Sequence, residues 1–523
     1  MIFKHSFSGL FGSLSAREGV WLFGAVFLNG DRLSLGEVHK YVECAIQKED
    51  LADKMRELNG FFCLVALFDG DVYIVSDKIR SIPVFYSFRN NTLCVSDSTD
   101  WLRAELNQPT ENQLASEEFL TTGYVTGRET LINQISQVQS AEIVIFKEGE
   151  KELYQTYYGF FPSNPTLKTS YESYEKQVDE VMRMSVERLV EFAGNRQIII
   201  PLSGGYDSRA LAIYVKQSGC KNIATFTFGK RKSPEVLISK KVAAELDLPW
   251  HFVEYTPSLW RKVKGSIWFE DYIRFINSLV SVPNVQVLPA IKQLVEGGVF
   301  DLDCIIVPGH AADFLAGSHL ATPALKAFDC SIAGARDFIL KKHYIFNRKK
   351  PLSKELSLKV ESQVVFLWSF LGDELSDKNK FMAVCEAWNY RERQAKFIAN
   401  SNRYYDFFDL KWWMPFWDNE FIAVWQNMPL ELRVEEKLWV SLVNNKMSEF
   451  TGETSDLGHA TQNANTLVRV FRKLLNYFMD PNYLYRLVPF EVWLLSRLKL
   501  SKSDGSLFGF LSEKTLGLVL KKE

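Results

Sequence analysis

The sequence predicts two domains, a strand-rich α+β domain followed by an α/β domain with a doubly wound parallel sheet and a helical cap. The chain has 523 residues, which exceeds the usual size of a single hydrophobic core. Its first part contains short apolar runs separated by turns, whereas strand and helix patterns alternate in the next part. We therefore expect one domain at residues 1–150 and a second at residues 170–523.

Short apolar runs indicate the strands of the first domain. They are separated by Asp-Gly, Asn-Gly or Asn-Asn turns, which favour hairpins. The runs are residues 61–68, 72–75, 84–86 and 142–146. Few helical patterns lie between them, so we expect layered sheets to dominate this domain.

The second domain opens with apolar residues at helical spacing between Tyr171 and Leu189. Alternating strands and helices follow, at residues 198–201, from Ser208, and at 224–228, 234–246 and 251–255. This alternation predicts parallel strands, and ligands bind such sheets at the carboxyl ends of the strands. Beyond about residue 320 the chain becomes helical and rich in tryptophan, as expected for a helical cap.

The most informative segment is Ile-Ile-Ile-Pro-Leu-Ser-Gly-Gly-Tyr-Asp-Ser-Arg at residues 198–209, a strand that leads into a glycine turn. Glycines let backbone N–H groups approach an anion, and the following helix directs its positive dipole end there. Asp207 is suited to carry Mg²⁺ beside a phosphate. A Gly-Gly turn without function is the alternative, but the hydroxyls and carboxylate around it favour a phosphate site. The candidate ATP-binding residues are Leu202, Ser203, Gly204, Gly205, Asp207 and Ser208.

A second strand end of the same type lies at residues 303–317. Here a short apolar strand leads into a turn with Gly309, His310 and Asp313. Because parallel strands end at one edge of a sheet, Asp207 and Asp313 are expected to face each other across one triphosphate. We add Gly309 to the candidate ATP-binding residues and Asp313 to the candidate Mg²⁺ ligands.

Composition narrows the class of protein. A net charge of -2 provides no field that would gather nucleic acid, so we expect no nucleic-acid partner. The seven cysteines show no zinc-site spacing and are expected to be reduced. No stretch of about 18 uncharged apolar residues occurs, so we expect a cytoplasmic protein without an integral membrane segment.

These motifs, in this order, resemble the asparagine synthetase family over nearly the whole chain. Residues 203–208 are similar to the pyrophosphate loop of N-type ATP pyrophosphatases (the PP-loop), and residues 309–313 to the second loop of the family. Pro415-Phe-Trp-Asp418 resembles a Pro-Phe-Leu-Asp segment, and Lys437 falls where the family has a transition-state lysine. The resemblance implies ATP and Mg²⁺ as cofactors, with the metal held by Asp207 and Asp313. It also implies adenylation of a carboxylate, release of pyrophosphate and transfer of the acyl group to ammonia or an amine.

The first domain resembles a class II glutamine amidotransferase domain, an Ntn-like layered β-sandwich, on residues 58–69 and 77–86. That family uses an N-terminal cysteine, whereas Ser8 stands in the matching segment here behind seven extra residues. Serine is a weaker nucleophile, and Ser8 has no free α-amine to activate it. No glutamine-binding segments are recognisable. We therefore expect a degenerate domain without glutaminase activity, and ammonia from solution or from a partner enzyme.

His310 departs from the family, because asparagine synthetases resemble one another in having Glu there and β-lactam synthetases in having Tyr. Its imidazole is suited to accept a proton from an amine nucleophile, which makes it a catalytic candidate beside Lys437. A purely structural histidine is the alternative. Phe314 replaces the glutamate that follows the aspartate in the family. Candidate substrate contacts, each with a structural alternative as a helix-terminal carboxylate or a salt-bridged surface helix, are Glu235, Glu392 and Arg393.

The resemblance predicts an ATP-dependent carbon–nitrogen ligase whose acceptor the sequence leaves open. Candidate substrates are the uronic acid of a surface-polysaccharide precursor, which we favour at this point, a peptide closed onto itself and a small amino acid. The alternatives are an amide-forming cyclase of the β-lactam synthetase or lasso-peptide type, an asparagine synthetase, and a non-catalytic scaffold. A scaffold predicts decay of both halves, whereas Asp207, Asp313 and Lys437 are all present.

Overall fold

The computed structural model describes residues 1–7, 14–320, 329–346 and 351–452. Its first part contains two sheets. Their strands are β1 (Ile2–Ser6), β2 (Leu14–Arg17), β3 (Val20–Leu28), β4 (Asp31–Arg32), β5 (Asn59–Phe68), β6 (Asp71–Ser76), β7 (Phe85–Arg89), β8 (Thr92–Ser96), β9 (Ser136–Gln137), β10 (Glu142–Phe146) and β11 (Leu153–Thr156). The larger, antiparallel sheet has the order β11-β10-β6-β5-β3-β2, with β4 beside β3, and the smaller has the order β1-β8-β7-β9.

The two sheets pack face to face and each carries helices on its outer face. Along β5, Cys63 and Val65 enter the core between the sheets, whereas Phe62 and Leu64 enter the core under the helices. This alternation follows from the two-residue period of a strand. The described residues of this part also form four helices, more than the sequence pattern indicated. They are α1 (Leu35–Gln47), α2 (Leu51–Glu57), α3 (Thr99–Glu105) and α4 (Gln113–Thr122).

The second part is built on a five-stranded parallel sheet, which confirms the predicted α/β class. Its first elements are α5 (Tyr171–Ala193), β12 (Ile198–Pro201), α6 (Tyr206–Gln217), β13 (Ile223–Gly229), α7 (Pro234–Glu245), β14 (Trp250–Glu254), α8 (Pro257–Lys264), α9 (Ile267–Phe275), α10 (Leu288–Glu296), β15 (Ile305–Ile306) and α11 (Ala312–Ala316). The remaining elements are α12 (Ile332–His343), α13 (Lys354–Trp368), α14 (Asp377–Trp388), a π-helical segment (Asn389–Ala399), α15 (Arg403–Asp406), β16 (Lys411–Trp412), α16 (Asn419–Gln426), α17 (Leu430–Arg433) and α18 (Lys437–Thr451).

Helices cover both faces of the parallel sheet. In β12, Ile198 and Ile200 pack into a core with α5, α6 and α18, whereas Ile199 packs into a second core with α10. The strand order β14-β13-β12-β15-β16 reverses direction between β12 and β15. Ligands of open α/β sheets bind at such a reversal, outside the carboxyl ends of the strands.

The helical cap consists of α12, α13 and α14 around buried Trp388 and Tyr344. The π-helical segment continues from α14, and most of its residues are buried. A salt-bridged surface helix, one of the sequence alternatives for this segment, is therefore wrong. The ion pair between Glu392 and Lys396 is present, but both side chains are almost fully buried.

A loop of the second part is joined to the first part by backbone hydrogen bonds. The N–H of Val125 donates to Val280 O at 2.7 Å, and the N–H of Leu131 donates to Leu279 O at 2.9 Å. Leu279 and Val280 also enter the core below α3 and α4. The two parts of the sequence therefore share a hydrophobic core at this point.

A buried charged cluster forms a second connection between the parts. Arg188 on α5 donates from Nε and Nη2 to the two carboxylate oxygens of Asp418, both at 2.6 Å. Asn59 at the start of β5 donates to Asp418 and to Glu420, both at 3.1 Å. Asp418 also caps α16. The Pro-Phe-Trp-Asp motif therefore ends in a residue that joins both parts of the molecule.

No helix in the described ranges combines the length and the apolar character needed to cross a membrane. All seven cysteines are free thiols.

We predict that Arg188→Leu lowers the free energy of unfolding by about 3–5 kcal/mol, because it leaves the buried Asp418 carboxylate without its cation. The control is Arg183→Leu on the same helix, which removes an exposed partner of Asp179 and should change stability by about 1 kcal/mol or less. Urea unfolding followed by circular dichroism measures both changes. Equal effects of the two substitutions would contradict a bracing role for Arg188.

Candidate active site

The first wall of the site is the turn between β12 and α6. Helix α6 begins at Tyr206, two residues earlier than expected, so Asp207 and Ser208 lie in its first turn. Gly205 caps this helix without a side-chain hydrogen bond, which leaves N–H groups of the first turn available to an anion. Within the turn, Ser208 Oγ lies 3.0 Å from both the N and the Oγ of Ser203. The hydroxyls therefore hold the turn in shape.

The second wall is the turn between β15 and α11, and it contacts the first. The Asp313 N–H donates to Asp207 Oδ2 at 3.0 Å. A Cβ on Gly309 would lie 3.3 Å from Ser208 N and 3.5 Å from Asp207 Cβ, so any side chain there would pack tightly against the first turn. The structure therefore places the two aspartates beside each other at the reversal of strand order.

The two walls enclose a cavity of about 610 Å³. It is lined by four carboxylate side chains, and by no lysine or arginine of the described residues. The four are Asp207, Glu235, Asp313 and Glu436. His310 also lines the cavity. This wall favours a cation, or a ligand that brings cations with it.

The electrostatics of the cavity agree with its acidic lining. Burial, together with the neighbouring Asp313, raises the pKa of Asp207 well above its ordinary value. Burial and Asp313 also raise the pKa of Glu436, to about 7. Burial lowers the pKa of His310, an effect that Asp313 opposes and Arg393 increases. Carboxylates placed this close repel each other, and a divalent cation would relieve that repulsion.

Comparison with known protein families gives one match that covers half of the chain. The asparagine synthase family model matches residues 177–441. This chain belongs to the asparagine synthase family. The match begins in α5 and ends in α18, so it contains both walls of the cavity.

A curated relative and two solved structures accompany this match. Microcin J25-processing protein McjC from Escherichia coli is 25% identical over 213 residues, which cover 40% of this chain and 38% of that relative. The NH3-dependent NAD synthetase from Campylobacter jejuni is 14% identical, covering 41% of this chain and 92% of that one, with a TM-score of 0.20. The glutamine-dependent NAD+ synthetase from Acinetobacter baumannii is 12% identical, covering 68% and 83%, with a TM-score of 0.19. Structural similarity this low carries no further conclusion.

The structure of this asparagine synthase family member brings most of the predicted site residues to one cavity. Those on its lining are Leu202, Ser203, Gly205, Asp207, Ser208, Glu235, Gly309, His310 and Asp313. Gly204 belongs to the same turn but is buried and does not line the cavity. Phe314, which stands in place of a glutamate, is buried against His319 and Trp417 and lies away from the cavity.

Three predicted residues lie elsewhere. Lys437 is exposed at the start of α18, while its neighbour Glu436 lines the cavity. Glu392 accepts a hydrogen bond from the Gly127 N–H at 3.0 Å and pairs with Lys396, so it joins the two parts of the molecule. Arg393 is half-buried near His310 and does not line the cavity. Ser8 lies outside the described residues.

Sequence reasoning missed residues that reach the cavity from distant segments. They are Asn284, Gln286, Tyr404, Tyr405 and Glu436 on the lining, and Trp439 behind it. The aromatic pair at 404–405 carried no motif, and only the tertiary fold brings it beside the strand ends. One feature of the sequence pointed indirectly to Glu436, namely its position directly before the predicted site residue Lys437.

A buried arginine holds the segment that carries Glu436. Arg433 donates from Nε to Leu315 O at 3.1 Å and pairs with the buried Glu386. Its own carbonyl oxygen packs so closely on α11 that a Cβ on Gly317 would lie 2.7 Å from it. Gly317 also has a φ of +92°, which side-chain-bearing residues rarely adopt.

We predict that Gly317→Ala destabilises the protein by about 2–4 kcal/mol, because backbone strain and overpacking against Arg433 add together. Gly298→Ala is the matched control, since Gly298 has a φ of +67° but no described atom within 4 Å of the position that a Cβ would take. The control should lose only the backbone contribution of about 1–2 kcal/mol. Calorimetric unfolding of both variants tests the difference, and equal losses would show that the contact with Arg433 is unimportant.

Proposed function

We propose that this protein is an ATP-dependent carbon–nitrogen ligase that adenylates a carboxylate, releases pyrophosphate and forms an amide. The family match and the curated relative support an ATP-using ligase or cyclase that forms an amide. The observation that carries the proposal is the contact between two strand-end turns, in which Asp207 and Asp313 meet beside a glycine cradle.

In this proposal the triphosphate of ATP lies along the turn at residues 202–208. The first-turn N–H groups of α6 and the hydroxyl of Ser203 bind phosphate oxygens, and the dipole of α6 favours their negative charge. Asn284, Gln286, Tyr404 and Tyr405 form the remaining wall, with polar and aromatic groups suited to a nucleoside.

The carboxylates fit Mg²⁺, a hard cation that prefers carboxylate and phosphate oxygens. Asp207 and Asp313 would hold it, and its charge would offset the repulsion that, after burial, raises the pKa of Asp207. No cluster of three or more His, Cys, Asp or Glu side chains suited to a metal occurs in the described part of the chain. When bound by Asp207 and Asp313, Mg²⁺ would supply positive charge that stabilises the departing pyrophosphate.

The proposed reaction has two steps. A carboxylate oxygen of the substrate attacks the α-phosphorus, the bond to the bridging oxygen breaks, and pyrophosphate leaves. The amine nitrogen then attacks the acyl carbon, AMP leaves, and the amine proton passes to a base.

His310 is the proposed base, because its imidazole lies on the cavity wall beside the triphosphate site. Lys437 is the proposed cation for the α-phosphate, because it directly follows Glu436 on the cavity lining and its side chain is exposed.

We propose a peptide, joined to itself by an amide bond, as the substrate class. The proposal rests on the curated relative, which is named for processing microcin J25. Among the predicted substrate contacts, Glu235 lines the cavity and Arg393 lies near His310, whereas Glu392 is committed to its buried ion pair. Glu235 and Arg393 are therefore the residues proposed to contact the substrate.

For the first part of the chain we propose a degenerate Ntn-like domain with a structural task. Its strand β5 supplies Asn59 to the cluster around Asp418, and its loop at Gly127 binds Glu392 and Lys396. These contacts are a structural role that the domain would keep even without glutaminase activity. The nitrogen then comes from an amine of the substrate, from ammonia or from an ammonia-supplying partner, in the cytoplasm where ATP is available.

We predict AMP and pyrophosphate as the products of ATP turnover, measured by chromatography and a pyrophosphate assay. Asp207→Asn and Asp313→Asn should each lower turnover by at least about a hundredfold, because each removes charge that holds the metal. Asp303→Asn, at an exposed position before β15, is the control and should retain activity. ADP and orthophosphate as primary products, or full activity in both site variants, would refute the proposal.

We also predict that glutamine does not support the reaction, whereas ammonium or a substrate amine does. A thiolate attack is needed to start glutamine hydrolysis, and Ser8 supplies none. Ser8→Ala should leave the amine-dependent activity unchanged. Glutamate released from glutamine at a rate comparable to product formation is the result that would overturn this expectation.

A further inference from the structure

We propose that Trp439 is a positioning residue that fixes the Asp207 carboxylate for metal-bound nucleotide. The inference rests on the proposed function and concerns how Asp207 is oriented. Trp439 Nε1–H donates to Asp207 Oδ1 at 2.9 Å, while the Asp313 N–H donates to Oδ2 at 3.0 Å. Each oxygen of Asp207 thus has one fixed donor and retains a lone pair for a cation.

The tryptophan is rigid, which makes it suited to this task. Its side chain is fully buried and packs edge-on against Phe416, Phe421 and Trp425, with ring centroids 5.6, 5.9 and 6.3 Å away. Trp439 therefore has no room to follow Asp207 if the carboxylate rotates. A donor held by packing in this way fixes the rotamer of its acceptor.

The same hydrogen bond joins three elements of the site. Asp207 lies in the first turn of α6, Asp313 in α11, and Trp439 in the first turn of α18, two residues after Lys437. Fixing Asp207 therefore also holds the start of α18, and with it Glu436, against the cavity. A donor without charge orients the carboxylate without competing with a metal ion for it.

The test compares Trp439→Phe with Trp425→Phe. Both substitutions replace a buried indole in one aromatic cluster, but Trp425 Nε1 has no hydrogen-bond partner among the described residues.

We expect Trp439→Phe to weaken binding of Mg²⁺-ATP about tenfold or more, the effect of losing one hydrogen bond to a charged acceptor. Binding of ATP without Mg²⁺ should change little. Trp425→Phe should bind both forms like the unsubstituted protein. Isothermal titration calorimetry measures these affinities without turnover.

A second measurement separates positioning from packing. In an Asp207→Asn background, Trp439→Phe should cause no more than a small further loss of Mg²⁺-ATP affinity, because its target is already altered. An independent loss in that background would overturn the proposal. So would equal weakening by both phenylalanine variants, or a Trp439→Phe protein that fails to fold while Trp425→Phe folds. If the unsubstituted protein shows no Mg²⁺-dependent ATP binding, the proposed function itself fails.

Discussion

The hydrogen bond between Asp207 and the backbone of Asp313 joins the two turns on which the site depends. It forms because β12 and β15 are neighbours in the parallel sheet, so their carboxyl ends lie at one edge. Gly309 allows the turns to approach, since any side chain would press on Ser208. The contact places two carboxylates side by side. Burial, and then the charge of Asp313, raise the pKa of Asp207, whereas the hydrogen bond from the Asp313 N–H opposes that rise.

Contacts between the two parts of the molecule stabilise the edge of the sheet at which β12 and β15 end. Helix α5 directly precedes β12 and is held through Arg188 to Asp418, which Asn59 also binds. A shared core around residues 279–280 forms a second connection. Lys359 pairs with the buried Glu118 and Arg391 with the buried Glu142 across this interface, so removal of the first part would take these partners from two cations. The first part therefore has a structural task that does not depend on hydrolysing glutamine.

Two sets of carboxylates in or near the interior differ in their partners. Glu392 with Lys396 and Glu386 with Arg433 are paired ions, and they hold segments together. Among the described residues that line the cavity there is no lysine or arginine, and the two oxygens of Asp207 accept hydrogen bonds from the uncharged N–H groups of Trp439 and Asp313. Burial alone does not separate the ion-paired carboxylates from those of the cavity, because both sets lie in the interior or at its edge.

The sequence by itself determined the parallel sheet, the turn at residues 202–208 and the second turn with Gly309 and Asp313. Strand and helix periodicity and the residue types of a phosphate cradle are local properties, so they can be recognised without the fold. The tertiary structure decided where Glu392, Glu436, Tyr404 and Trp439 lie relative to the cavity. Glu392 was removed from the cavity and Glu436 was brought into it, because the direction of a side chain depends on how its helix packs. Contacts between segments more than 200 residues apart, such as the one between Trp439 and Asp207, leave no pattern in the local sequence.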